Sequence, residues 1–151
     1  MRIALGCDEV GFSLLEVIRG LLATRDIEVI DFGVHATDPV LYPNVALEVA
    51  QAIASGACDR GILVCGTGIG MSITANKVPT VRAALCHDTY SAERARKSND
   101  AQVLTMGARV IGPELAKQIV NAWLRSEFEG GGSLPKVVRM QEIDEAFRKT
   151  P

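Results

Sequence analysis

The chain has 151 residues, 48% of them hydrophobic and 23% charged, and 16 basic against 18 acidic side chains leave a formal net charge of −2. That length suits one domain with its own core, and the balance excludes a disordered chain and argues against a nucleic-acid binder, which would carry a basic face. No apolar stretch approaches the roughly 20 residues of a membrane span, Met1-Arg2-Ile3-Ala4-Leu5 runs straight into a strand-like segment without a signal-peptide layout, and Cys7, Cys58, Cys65 and Cys86 show neither metal-ligand spacing nor the density of a disulfide framework, so a reducing cytoplasm is the expected compartment.

Strand-like and helix-like segments alternate along the chain. Arg2 to Cys7 is a short apolar run, and Leu14, Ile18, Leu21 and Leu22 follow at helical spacing. Ile27 to Phe32 predicts a second strand, closed by Gly33. After a loop to Pro43, a helix carries Val45, Val49, Ala52 and Ile53 on one face. Gly61 to Cys65 predicts a third strand, then a glycine turn and its helix. Val81 to Cys86 predicts a fourth strand, Thr89 to Lys97 a polar helix, Ala101 to Met106 a fifth strand, and Leu115, Ile119, Ala122 and Trp123 a fifth helix. No internal repeat is visible. Repeated βα units imply an α/β fold with a parallel sheet, right-handed crossovers and helices on both faces.

Residues 1–128 form the expected α/β core of this single domain. Glu129-Gly130-Gly131-Gly132-Ser133 is a flexible break, and a last helix beyond it sets Met140, Ile143 and Phe147 on one stripe. A short amphipathic helix cannot hold itself together alone, so residues 129–151 are expected to dock on a partner subunit.

Ligands of such sheets bind beyond the carboxyl ends of the strands. Three polar clusters fall there: Asp8-Glu9, Cys65 to Gly70, and His87-Asp88. The run Cys65-Gly66-Thr67-Gly68-Ile69-Gly70 reads as strand, tight turn, helix start, which aims backbone N–H groups at one point. A cysteine at the edge of that point is a candidate thiolate, base or nucleophile. A plainer reading of Cys65 is a small core residue, and of the glycines a turn that needs positive φ. G-x-G-x-G without a downstream acidic partner is weak for a dinucleotide, and no G-K-[ST] exists for a Walker loop. Asp8 and Glu9 read equally as ligands or as charges at a helix N-terminus. Cys7, Cys58 and Cys86 read as structural, His35 as a loop surface residue, His87 as a hydrogen-bonded structural residue, and Arg94, Arg96 and Lys97 as a solvated helix face.

The run Cys65 to Ile73, then Ala75-Asn76-Lys77-Val78-Pro79 and Val81-Arg82-Ala83-Ala84, resembles ribose-5-phosphate isomerase B and the galactose-6-phosphate isomerase subunits. Gly6-Cys7-Asp8, Tyr42-Pro43, Asn99-Asp100-Ala101, Gly107 to Gly112 and Ala122-Trp123-Leu124 extend the resemblance over nearly the whole chain. It implies a Rossmann-like three-layer α/β/α sandwich with a five-stranded parallel sheet, working as a homodimer or dimer of dimers with shared sites. It also implies aldose–ketose isomerisation of a phosphorylated sugar without metal or cofactor, through a cis-enediolate. On that resemblance Cys65 is the base, Thr67 holds or relays a proton at the substrate oxygens, and the amides of Gly66, Gly68, Ile69 and Gly70 form the anion hole. Asp8, Tyr42 and Asn99 match hydroxyl-binding positions and Arg109 a phosphate ligand, with Asn99 and Arg109 candidates to come from a neighbouring subunit.

The departures bear on the substrate. Family members that act on ribose 5-phosphate carry Asp-His where this chain has Asp8-Glu9, and His-Asn-Asp where it has Ser98-Asn99-Asp100. Serine has no pKa near neutrality and opens a sugar ring poorly. Two phosphate arginines are also missing, one replaced by Lys136, a point charge without a bidentate fork. A tetrose 4-phosphate has no furanose to open, so D-erythrulose 4-phosphate/D-erythrose 4-phosphate is the expected pair. Ribose 5-phosphate and a catalytically silent sugar-phosphate-binding subunit are the alternatives.

Overall fold

Period-two alternation along the strands sends two sets of side chains to opposite faces of one sheet. Ile3, Leu5, Cys7, Ile62, Val64, Leu104 and Met106 enter one core, while Ala4, Leu63, Cys65 and Val103 enter the other. The computed structural model describes residues 1–33 and 39–148. Its strands are β1 (Arg2–Cys7), β2 (Glu28–Asp31), β3 (Arg60–Cys65), β4 (Ala83–Leu85) and β5 (Val103–Gly107). All pairings are parallel, in the order β2-β1-β3-β5-β4. Helices α1 (Phe12–Ala23), α2 (Tyr42–Ala54), α3 (Ile69–Ala75), α4 (Thr89–Lys97) and α5 (Pro113–Leu124) alternate with them. Leu14, Ile18, Ala92, Ala95, Ile119 and Trp123 place α1, α4 and α5 on the first face; Val45, Val49, Met71 and Ala75 place α2 and α3 on the second. This is the expected three-layer Rossmann-like sandwich. None of the described helices is long and apolar enough to cross a membrane.

Three strands are shorter than the apolar runs that mark them, β5 among them, which begins at Val103 rather than Ala101. β4 begins at Ala83 rather than Val81, because Thr80 turns through φ +69 and the Arg82 N–H goes to Gln102 Oε1 (2.9 Å). β2 spans Glu28–Asp31 within the run 27–32, and His35 lies outside the described residues.

Arg96 corrects the reading of α4 as a solvated face. Its side chain is buried, donating to the Ala101 carbonyl (3.1 Å) and pairing with Asp100 (2.9 Å). Arg60 is buried likewise, under the end of α5. It donates to the carbonyls of Trp123 and Ser126 (both 3.0 Å), at and just past the end of the helix, and lies 5.3 Å from the Trp123 ring centroid.

Past Gly130 and Gly131, both at positive φ, α6 (Leu134–Arg148) returns to its own domain at two points. Val137 is buried, and Asp144 accepts the Thr80 N–H (3.2 Å). Met140, Ile143 and Phe147 stay exposed.

Candidate active site

In the order β2-β1-β3 the winding of the sheet reverses at β1, β2 being added on one side and β3 on the other, and the crevice beyond the carboxyl ends of β1 and β3 is where doubly wound sheets hold ligands. Cys7 pairs with Val64 and Cys65 with Gly107, so Asp8, Cys65 and the segment after β5 meet at one edge.

The turn after β3 is built around Cys65. Its Sγ accepts the Gly68 N–H at 3.1 Å, a donor that complements negative charge on sulfur. Gly68 sits at φ +77, and a Cβ there would lie 2.6 Å from Leu85 Cδ1 and 2.7 Å from the Met106 carbonyl carbon. Only glycine satisfies both the left-handed backbone and the space. Thr67 Oγ1 accepts the Ile69 N–H (3.3 Å) as α3 begins. At Gly70 a Cβ would fall 2.3 Å from the Tyr42 hydroxyl, so the phenol lies across the first turn of α3.

The segment after β5 closes over this turn. Ala108 N–H donates to the Cys65 carbonyl (2.8 Å) and Arg109 N–H to the Gly66 carbonyl (3.0 Å). Arg109 Cδ and Nη1 each come within 3.7 Å of the position a Gly66 Cβ would take, as does Val10 Cγ1. Arg109 therefore flanks the turn of its own chain and needs no neighbour to reach it. Val10 is a wall residue that no polar motif announces. His87 Nε2 accepts the Gly107 N–H (2.9 Å), fixing the start of that segment in the structural role expected of it. Burial holds the imidazole below its ordinary pKa against the charge of Asp88, which keeps the accepting neutral form.

Asp8 and Glu9 form the opposite wall. Asp8 Oδ1 accepts the Gly11 N–H (2.8 Å), and Glu9 accepts the Val40 N–H (3.3 Å) two residues before Tyr42. Burial pushes the Asp8 carboxyl above its ordinary range; the Gly11 N–H opposes this and the charge of Glu9 adds to it. The folded state thus holds this proton more tightly than the unfolded chain does. Asp8 contributes stability below the ordinary value of 3.8, and it is lost as pH rises through the raised folded value. Asp8→Asn keeps an oxygen for Gly11 and removes the buried charge. It is expected to raise Tm by a few degrees at neutral pH, with the gain shrinking as pH falls toward the carboxylate range, measured by melts across that interval. An Asn variant less stable than the parent at neutral pH contradicts this account.

Asp8, Glu9, Tyr42, Cys65, Gly66, Thr67, Gly68, Ile69, Gly70 and Arg109 thus share one edge of the sheet. Asn99 and Lys136 do not join them within the chain. Asn99 follows α4 and precedes β5, whose first residue Val103 pairs with Gly61, four residues before Cys65 on β3. Four strand steps are about 13 Å, so Asn99 stands at the amino edge, with Nδ2 donating to the Arg94 carbonyl (3.3 Å). Lys136 is exposed in the first turn of α6. Among the described residues no three His, Cys, Asp or Glu side chains are grouped to share a metal ion.

A doubly wound parallel sheet with a thiol, a ring of amides and an arginine at its switch point defines a Rossmann-like α/β enzyme. Residues 3–141 match the ribose/galactose isomerase family. The chain belongs to that family and is an aldose–ketose isomerase. It is 54% identical over 148 residues to the ribose-5-P isomerase B of Listeria innocua, covering 98% of this chain and 100% of that one. It is 55% identical over 141 residues to the D-erythrulose-4-phosphate isomerase of Pectobacterium atrosepticum, covering 93% of each. The solved ribose-5-phosphate isomerase B of Clostridium thermocellum superposes with a TM-score of 0.95 at 48% identity, covering 97% of this chain and 99% of that one.

Proposed function

We propose that this enzyme interconverts a tetrose phosphate aldose and its ketose, D-erythrose 4-phosphate and D-erythrulose 4-phosphate, with Cys65 as the base. The observation that carries the mechanism is the Cys65 sulfur held against the Gly68 N–H inside the turn 65–70. The thiolate takes the proton from the carbon beside the carbonyl, leaving a cis-enediolate, and the same sulfur returns it to the adjacent carbon. Amides of Gly66, Gly68, Ile69 and Gly70 stabilise the enediolate oxygens where charge develops. Thr67 passes the hydroxyl proton between those oxygens. Asp8 and Tyr42 hold substrate hydroxyls, and Arg109 holds the phosphate. Asn99 and Lys136 enter from a second copy of the chain, in a homodimer or dimer of dimers whose contact includes Met140, Ile143 and Phe147.

Overall identity does not separate the substrates, since the Listeria and Pectobacterium relatives stand at 54% and 55%. The residues favour the shorter sugar. Its 4-oxygen is esterified, so no furanose forms and no ring-opening acid is needed. Ser98 occupies the place of that acid, and Glu9 puts a second carboxylate beside Asp8, a wall that repels a phosphate. Steady-state kinetics with both substrates decide the matter: kcat/KM for D-erythrulose 4-phosphate is expected to exceed that for ribose 5-phosphate by about tenfold or more. A preference for ribose 5-phosphate overturns the assignment and makes the chain a pentose-phosphate isomerase.

A further inference from the structure

Arg82 lies ahead of β4, at the sheet edge opposite Cys65, yet it spends its guanidinium on the turn that carries Asn99. Its Nε donates to the carbonyls of Asn99 (3.0 Å) and Asp100 (3.1 Å), and Nη2 donates to Asp100 Oδ2 (3.0 Å). Asp100 sits at φ +48, a left-handed conformation that residues with a Cβ rarely adopt. We propose that Arg82 is a positioning residue, a clamp on the Asn99–Asp100 turn that holds Asn99 in the attitude a neighbouring copy's active site requires. The inference rests on the reading that Asn99 serves a second copy.

The bonding separates this role from general support of the fold. The inboard side of the turn is already held without Arg82: Ala101 N–H donates to the Ala95 carbonyl (2.8 Å), Gly61 N–H to the Gln102 carbonyl (2.9 Å), and Arg96 grips Asp100 Oδ1 (2.9 Å) and the Ala101 carbonyl (3.1 Å). Arg82 takes the outboard carbonyls. Asn99 itself is exposed and its amide makes a 3.3 Å bond to the Arg94 carbonyl, a weak hold for a side chain that must meet a substrate. Two successive carbonyls and a carboxylate oxygen need the planar fork of arginine; a lysine ammonium has no such fork. The clamp also connects to the other element assigned to the neighbour's site. Arg82 N–H donates to Gln102 Oε1 (2.9 Å), Gln102 Nε2 to the Thr80 carbonyl (3.2 Å), and Thr80 N–H to Asp144 of α6 (3.2 Å).

The test is a double-mutant cycle in the full-length enzyme with Arg82→Gln and Asn99→Ala, reading kcat, KM and Tm. Arg82→Gln is expected to lower kcat/KM by about tenfold or more, as misplacing a binding group does, and to add nothing once Asn99 is alanine. Arg82→Lys restores the charge and not the loss. Parental kinetics for Arg82→Gln, full rescue by lysine, or losses that multiply with those of Asn99→Ala overturn the clamp and leave the shared site standing. Full activity of Asn99→Ala overturns the shared-site reading instead, and the clamp with it. Should Arg82→Gln fail to fold, Arg82→Lys takes its place in the cycle: a loss absent from the Asn99→Ala background supports the clamp, and no loss or a multiplying loss overturns it.

Discussion

Cys65→Ala is expected to lower kcat by about 10⁴-fold, the upper end of what a positioned base supplies, while substrate binding changes by less than about threefold. The split follows from what the sulfur does. In the proposed mechanism binding falls to Arg109, Asp8, Tyr42, the amides and the second copy's Asn99 and Lys136, none of which the substitution removes, so it strikes the transition state alone. Loss of the sulfur also leaves the Gly68 N–H without its 3.1 Å acceptor, at a cost to stability of about 1 kcal/mol. That is too little to unfold the enzyme, and a melt run beside the kinetics shows whether lost activity is lost fold. Exchange of the substrate's carbon-bound proton with deuterated solvent reports the same step directly and should vanish with turnover. If Cys65→Ala turns over like its parent, Cys65 is not the base. If it binds no substrate, the division between binding and chemistry is wrong.

Residue patterns disclosed the layers and the reactive edge, because both follow from local rules. Alternation of Ile3, Leu5 and Cys7 against Ala4, and of Ile62 and Val64 against Leu63 and Cys65, determines which strand face meets which helices. Gly68 marks its turn because no other residue fits a positive φ against Leu85 and Met106. The order β3-β5-β4 was not legible, since the chain alternates strand and helix identically whether β4 or β5 lies beside β3. Nor was the burial of Arg96, because a basic residue near the end of a polar helix looks solvated until an Asp100 carboxylate and the Ala101 carbonyl are brought to it. Arg109 illustrates the same limit at the site. Its residue type and family position make it a candidate phosphate ligand, but its place beside its own Gly66 depends on the bonds from 108 and 109 to the β3 turn.

Mixing two crippled variants is expected to restore about a quarter of parental activity. Asn99 stands about 13 Å of strand from the level of Cys65 within its own chain, so a site using both draws them from different copies. In the proposed mechanism Cys65→Ala lacks the base, and Asn99→Ala loses a hydrogen bond to a charged intermediate, lowering its activity roughly 30-fold. When subunits of the two reassociate at random, half the dimers are mixed. In each mixed dimer one site receives Cys65 from the Asn99→Ala chain and Asn99 from the Cys65→Ala chain, and is intact; the other site carries both lesions. Half the dimers with one good site in two gives about one quarter. The readout is activity after joint unfolding and refolding, compared with the same proteins refolded apart and then mixed without exchange. If each site were built within one chain, every site in the mixture would carry exactly one lesion, and refolding together would restore nothing. Activity pinned at the average of the two variants therefore excludes a shared site and returns Asn99 to a structural role at the amino edge of the sheet.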